Sequence, residues 1–164
     1  MSAPESTSLG RALSNRHYRG GRFGWLFLVC MGALNLFRGS VHTFRKDGGA
    51  HSIAGIDLSE NREVILSLFA TMGWTQLVTA AVDLAVALRF RALAPYLVGY
   101  HLAQHVGAVA ILWWWRPLPV NAPGNFGSVP LLLISCLACR SACSPPDAER
   151  TLPTAEPTPE HSGT

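Results

Sequence analysis

Four apolar segments of membrane-spanning length, joined by short loops, constrain this chain more than any other feature of its sequence. They cover residues 23–44, 64–88, 94–115 and 126–143. An α-helix rises about 1.5 Å per residue, so about 20 apolar residues cross the hydrocarbon core of a bilayer. Lipid offers no hydrogen bonds to an exposed backbone, so spanning segments of this kind are helical. The sequence therefore predicts an all-α fold, a four-transmembrane-helix bundle with an up-down-up-down arrangement.

The composition leaves room for little besides these segments. Hydrophobic residues make up 49% of the 164 residues and charged residues 14%, whereas about a quarter of a soluble domain is charged. We divide the chain into a basic N-terminal segment (1–22), a transmembrane domain (23–143) and a Pro-, Thr- and Glu-rich tail (144–164) that we expect to be disordered. The fourth segment is the shortest, and a re-entrant or interfacial segment is the alternative to a full span there.

The distribution of positive charge predicts the orientation. Four arginines precede the first segment, and Arg89 and Arg91 occupy the very short loop between the second and third segments. Positive loops stay on the cytoplasmic side, and a basic arm suits anionic lipids. We therefore expect a multi-pass protein of the plasma or inner membrane with both termini in the cytoplasm. The basic N-terminal segment is not accompanied by a folded domain that could recognise bases, so it does not indicate nucleic-acid binding. The partners expected are the lipid bilayer and a second copy or another membrane protein.

A pattern that runs from the first segment through the first loop resembles one in small uncharacterised bacterial membrane proteins. It consists of Asn35-Leu36-Phe37-Arg38-Gly39, His42, Asp47-Gly48-Gly49-Ala50 and Ser52-Ile53-Ala54-Gly55-Ile56-Asp57-Leu58-Ser59. Those proteins are grouped as a domain of unknown function and are DoxX-like in size and layout. The resemblance implies four helices and a membrane location, and it suggests that the first loop is more than a connector. It implies no catalytic residue.

Polar residues within the apolar segments are the candidate functional residues, because each is costly at membrane depth. The candidates are Asn35, Arg38, Gln76, Asp83, His101, Gln104 and His105. Within each segment they are spaced three, four or seven apart, which places them on one helix face. We expect these faces to point into the bundle.

The depths of these residues predict which of them meet. Counted along the helices, Asp83 and His101 lie about 5–10 Å from the inner face, which predicts that they pair. Gln76 falls near the midplane, where His105 or Asn35 is its predicted partner.

Three functions fit such a polar set. The first is a hydrogen-bonded seam that sets helix packing in a non-enzymatic membrane protein of unknown biochemical activity. The second is a small-solute or proton-linked carrier in which Asp83 exchanges a proton. The third is a metal- or haem-dependent redox protein that uses His101, His105 and Asp83, since histidines at i and i+4 share one helix face. We favour the first, and we predict no catalytic residue and no cofactor.

Three cysteines in the fourth segment and the charged first loop leave further alternatives open. Cys136, Cys139 and Cys143 share one helix face; packing is expected, and metal or redox work or acylation of Cys143 are the alternatives. The first loop is either solvated and internally neutralised, an anion site or a cap on the bundle mouth. Lys46-Asp47-Gly48-Gly49 predicts a turn, and Asp57 to Glu60 predicts a capping box at the start of the second helix.

Overall fold

A computed structural model of the chain describes residues 18, 20–117 and 123–144. Most of the predicted basic segment and nearly all of the predicted tail lie outside these residues. Within them the secondary structure is entirely helical, which confirms the all-α class. The four helices are α1 (Arg22–Phe44), α2 (Arg62–Arg89), α3 (Ala94–Ala110) and α4 (Pro123–Cys143). A 3₁₀ turn (Arg91–Leu93) precedes α3, and a π-helical turn (Ile111–Trp115) continues it.

Three of the helices are long and apolar enough to cross a membrane, namely α1, α2 and residues Phe126–Cys143 of α4. The fourth predicted segment, for which a re-entrant or interfacial segment was the alternative, is therefore among the helices long enough to span. The helix outside this set is α3, which has 17 residues of regular α-helix before the π turn begins. Much of the apolar surface faces outward: Phe37 is 67% exposed and Leu68 is 65% exposed. An apolar exterior of this extent suits a helix surrounded by lipid.

The start of α2 differs from the prediction. Its N-cap residue is Asn61, which has a left-handed backbone (φ 54°) and makes no side-chain capping bond. The carboxylate of Asp57 instead accepts hydrogen bonds from the backbone N–H of Ser59 at 2.9 Å and from its hydroxyl at 2.7 Å. The predicted capping box is wrong because these two residues close a local turn before the helix begins.

Small residues set how closely the helices approach. Where α1 crosses α2, a Cβ on Gly73 would lie 2.9 Å from the carbonyl oxygen of Gly39. Where the start of α1 meets the end of α4, a Cβ on Gly24 would lie 2.7 Å from the Cβ of Ala142. Helix α1 packs mainly against α2, and α3 mainly against α4. The buried apolar core lies among the helices and comprises Phe27, Leu28, Met31, Val86, Ala87, Ala94, Val98, Ala138 and Ala142.

Candidate functional site

An Asp–His pair lies in the interior between α2 and α3. The Nε2 of His101 is 2.8 Å from the Oδ1 of Asp83, and the two residues are 1% and 0% exposed. The pairing predicted from their depth is therefore present. A carboxylate oxygen accepts, so Nε2 of His101 carries the proton that joins the two helices.

The other oxygen of Asp83 faces α1. The side-chain amide of Asn35 donates a hydrogen bond to its Oδ2 at 3.4 Å. One carboxylate thus links three helices. The sequence analysis placed Asn35 on the inward face of α1 and gave it, as the alternative to His105, as the partner of Gln76. The structure corrects this prediction, because Asn35 bonds to Asp83. Asn35 lies opposite Asp83 because α1 and α2 run antiparallel and cross closely at Gly39 and Gly73.

The imidazole of His101 is enclosed by aromatic rings. Phe27 meets it edge-on with ring centroids 5.8 Å apart, and the ring of His105 stacks on it at 6.1 Å. Its Nδ1 is buried and has no hydrogen-bond partner among the described residues. Because Nε2 donates to Asp83 and a proton on Nδ1 would have no acceptor among the described residues, these contacts favour the tautomer with its proton on Nε2.

His105 extends the polar contacts to α4. Its Nδ1 lies 2.6 Å from the hydroxyl oxygen of Ser135, and this hydroxyl donates to the carbonyl of Leu131 at 2.7 Å. A serine has one hydroxyl proton, so Ser135 must accept from the imidazole and Nδ1 of His105 must carry its proton. We call Asn35, Asp83, His101, His105 and Ser135 the polar network.

Ser135 is the member that the sequence analysis missed. It is fully buried, and Ser128, seven residues earlier on the same face of α4, is also buried, with 5% of its surface exposed. A pair of hydroxyls at that spacing in an apolar segment is the signal that could have identified it. The indole N–H of Trp113 donates to Ser128 at 3.1 Å, so both serines face α3 and its π turn.

The remaining predicted site residues lie outside the network. The Oε1 of Gln76 is buried without a hydrogen-bond partner in the described structure, so its predicted pairing with His105 or Asn35 is wrong. Gln104 is exposed, and its amide donates to the hydroxyl of Tyr100 at 2.9 Å. Arg38 is partly buried.

Neither the histidines nor the cysteines assemble a larger ligand set. Among the described residues, no three His, Cys, Asp or Glu side chains are grouped so that they could hold a metal ion. Asp83 and His101 bond to each other, and His105 bonds to Ser135. Cys136 and Cys143 are exposed and Cys139 is partly buried, all as free thiols.

The first loop folds around Asp47, as its turn signal predicted. The carboxylate accepts from the backbone N–H groups of Ser52 at 2.9 Å and Gly49 at 3.2 Å, and it pairs with Arg45 at 3.3 Å. Hydrogen bonds from Ser52 hold the pKa of Asp47 well below its usual value, with smaller contributions from Gly49 and Arg45. Gly48 and Gly49 adopt positive φ angles of 58° and 78°, which glycine tolerates best.

His42 ties this loop to α1. Its Nδ1 donates to the carbonyl of Gly48 at 2.7 Å, and its ring meets Phe69 of α2 edge-on at 5.3 Å. The loop is thereby folded onto one end of the α1–α2 pair.

No protein-family model, curated protein or solved structure matches this chain. The DoxX-like resemblance stays a prediction.

Proposed function

We propose that this protein is a non-enzymatic, multi-pass membrane protein in which the polar network fixes how four spanning helices pack. The observation that supports this most directly is the membership of the network, because every helix contributes to it. Asn35 comes from α1, Asp83 from α2, His101 and His105 from α3, and Ser135 from α4.

The energetics of membrane packing explain what such a network does. Apolar side chains gain little by leaving lipid for one another, so they discriminate weakly between packing arrangements. One interhelical hydrogen bond in a membrane is worth about 0.6 kcal/mol on average. A misplaced helix would leave several buried polar atoms unpaired, and each of those costs more than the bond contributes. The network therefore sets register and pairing rather than supplying most of the stability.

The length and the aromatic end of α3 support a fourth span. With its π turn the helix runs from Ala94 to Trp115, a length of about 30 Å. Trp114 and Trp115 at its end are 76% and 74% exposed. Exposed tryptophans at the end of an apolar helix are typical of a membrane–water interface. Four spans with short connections give an up-down-up-down bundle.

The loop between α2 and α3 supports a cytoplasmic location for both termini. The guanidinium of Arg91 lies 4.0 Å from the ring centre of Trp25, near the start of α1, and its Nε donates to the carbonyl of Ala87. An arginine and a tryptophan together suit the headgroup layer of the inner leaflet of a plasma or inner membrane.

Cysteine accessibility tests this topology. In a background lacking the four native cysteines, Glu60→Cys places a thiol in the first loop and Ser144→Cys places one after α4. A membrane-impermeant thiol reagent added to intact cells is expected to label the first variant only, and to label the second after permeabilisation. Labelling of both in intact cells would contradict the fourth span.

A second candidate function is a proton-linked small-solute carrier that acts as an oligomer. Two observations favour it: the ring of His101 stacks on that of His105, and the Nδ1 of His101 has no hydrogen-bond partner among the described residues. An unprotonated nitrogen therefore lies beside a second imidazole, an arrangement through which a proton could pass. Proteoliposomes that enclose a pH-sensitive dye test it. Proton entry under an imposed pH gradient should exceed that of empty liposomes, Asp83→Asn should abolish the excess, and Val82→Ala should retain it. Equal rates with and without protein would contradict the candidate.

A further inference from the structure

Positive charge exceeds negative charge at one end of the bundle. At this end α1 begins, α2 ends, α3 begins and α4 ends, and we call it the arginine end. Its basic residues in the described structure are Arg22, Arg89, Arg91 and Arg140. The described acidic residue nearest to it is Asp83, which is fully buried and already engaged in the polar network. The described residues therefore supply no exposed carboxylate at this end.

The opposite end of the bundle is balanced in charge. It comprises the first loop, the start of α2 and the end of the π turn that continues α3. Its described charged residues are Arg45, Lys46, Arg62 and Arg116 on the basic side and Asp47, Asp57, Glu60 and Glu63 on the acidic side. Their formal charges cancel, and Arg45 and Asp47 form an ion pair at 3.3 Å. The excess of charge at the described helix ends is therefore a property of the arginine end.

Close contacts between α1 and α4 bring two of the arginines to one place. The backbone N–H of Gly21 donates a hydrogen bond to the carbonyl of Ser141 at 2.8 Å. Arg22 follows Gly21 and Arg140 precedes Ser141, so the two arginines extend from neighbouring backbone positions on different helices. Both residues are exposed, and neither forms an ion pair or a hydrogen bond with the described residues.

The loop between α2 and α3 adds a third arginine beside the start of α1. The guanidinium of Arg91 lies 4.0 Å from the ring centre of Trp25, and its Nε donates to the carbonyl of Ala87 at 2.8 Å. Trp25 follows Arg22 by three residues, so both lie on one face of α1. The start of α1 is thus bordered by positive charge from the α2–α3 loop and from the end of α4.

The chemistry of this end matches the phosphate of a lipid. Helices long and apolar enough to span a membrane begin or end here, which places the arginine end at the level of the headgroups. The planar fork of a guanidinium matches two phosphate oxygens, and basic sites between transmembrane helices bind lipid phosphates. A zwitterionic lipid compensates its phosphate with its own ammonium group. Charge complementarity therefore favours a lipid with a net negative charge.

We propose that the arginine end binds the headgroup of an anionic phospholipid, with Arg22 and Arg140 as the residues that contact its phosphate. Arg91, held over Trp25, adds positive charge beside them. The inference rests on the proposed membrane location and goes beyond the packing role of the polar network. It does not depend on which side of the membrane the arginine end faces.

Quenching of Trp25 by brominated lipid in reconstituted bilayers tests this surface. The full chain keeps Trp25 as its one tryptophan, and the other four of its five tryptophans are replaced by phenylalanine. Dibrominated phosphatidylglycerol in phosphatidylcholine is compared with dibrominated phosphatidylcholine at the same fractions, and the two quenching curves give the relative binding constant at Trp25. We expect phosphatidylglycerol to be preferred about fivefold, which is what one arginine contributes near an anionic surface.

Controls for position and for charge are available in the same chain. A variant with Trp114 as its one tryptophan reports on the opposite end, where Trp114 is exposed, and should show no preference between the lipids. Arg22→Gln and Arg140→Gln should each lower the preference at Trp25 toward one. Arg62→Gln, which alters an exposed arginine at the start of α2, should retain it. The three substituted arginines are exposed, so the helical circular dichroism should be unchanged.

The same measurement separates the lipid preference from the membrane location. Equal quenching of Trp25 by both lipids, or an undiminished preference when Arg22 and Arg140 are both replaced, would overturn the proposal and leave the membrane location standing. Absence of quenching by either lipid would contradict both. Cysteine labelling that contradicts the fourth span, together with a preference for phosphatidylglycerol at Trp25, would reject the topology alone.

The acidic tail is the other candidate occupant of the arginine end. Residues 145–164 follow the end of α4, and their charged residues are Asp147, Glu149, Arg150, Glu156 and Glu160. A variant that lacks these residues should keep the preference of the full chain. A preference that appears only after their deletion would assign the arginines to the tail and would also overturn the proposal.

Discussion

The Oδ1 of Asp83 lies 2.8 Å from the Nε2 of His101, although 18 positions separate the two residues in the chain and neither is more than 1% exposed. Because Nδ1 of His101 is already unpartnered, this contact is the one hydrogen bond that the imidazole makes to the described residues. The polar network therefore depends on it.

Asp83→Ala should lower the free energy of unfolding by about 2 to 3 kcal/mol, because it leaves the buried imidazole without a hydrogen bond. Asp83→Asn keeps an acceptor oxygen and should cost less than about 1 kcal/mol if the pair serves packing. The measurement is reversible unfolding in mixed micelles, with Val82→Ala as the neighbouring exposed control. Equal stability of Asp83→Ala and Val82→Ala would contradict a structural role for the pair.

Gly73→Ala should destabilise the α1–α2 crossing by about 1 to 3 kcal/mol. The added Cβ would lie 2.7 Å from the Cβ of His42 and 2.9 Å from the Gly39 carbonyl oxygen, and a backbone atom cannot move aside cheaply. Gly107→Ala is the matched control, since a Cβ there meets nothing within 4 Å and alanine favours a helix. The same unfolding assay compares them, and a Gly107→Ala variant that is the less stable of the two would refute this view of the crossing.

Ser135→Ala should remove the hydrogen bond that keeps the proton of His105 on Nδ1. In the native protein Nδ1 must carry the proton, because the Ser135 hydroxyl donates its own proton to Leu131. Nitrogen-15 NMR of the labelled imidazole should therefore show a protonated Nδ1, and Ser135→Ala should shift the ring toward the mixture seen in free histidine. Ser144→Ala, which alters an exposed serine at the end of α4, should leave the spectrum of His105 unchanged. A native ring protonated on Nε2 alone would be inconsistent with the network.

Asp47 should make the order of the first loop depend on pH. Hydrogen bonds from Ser52 and Gly49 and the charge of Arg45 hold its pKa below the usual value in the folded protein. The carboxylate therefore stabilises the loop above about pH 4, and this contribution is lost as the pH falls further and the carboxylate becomes protonated. Amide exchange at Gly49 and Ser52, corrected for intrinsic rates, should show protection that declines in acid. Asp47→Asn should be less protected at neutral pH, and its protection should change little on acidification.

The apolar segments predicted the helices well because their lengths and boundaries follow from local composition. The four observed helices, with the π turn added to α3, begin and end within three residues of the predicted segments. The predicted capping box of α2 was wrong, although the helix begins within two residues of the predicted position. Asp57 and Ser59 satisfy each other in a local turn, and one-dimensional spacing does not distinguish that turn from a helix cap.

The partners of the polar residues were harder to predict. Depth along the helices identified the Asp83–His101 pair because both residues lie close to the same short loop, so their levels are fixed with little error. Gln76 and Asn35 belong to helices joined by a longer loop, and their relative height depends on where Gly39 and Gly73 let α1 and α2 cross. Ser135 was missed because a serine in an apolar segment can be recognised as part of a polar site only when the residue facing it, here His105, is known.

The sequence by itself determined that this chain is all-helical, with segments long and apolar enough to cross a membrane, since hydrophobicity and length are properties of contiguous residues. Only the tertiary structure decided that Asn35, Asp83, His101, His105 and Ser135 form one network, and that the buried Oε1 of Gln76 has no hydrogen-bond partner among the described residues. The rotation and height of each helix depend on close contacts between glycines and small residues on different helices. Those contacts are a property of the packed bundle, and no single segment contains them.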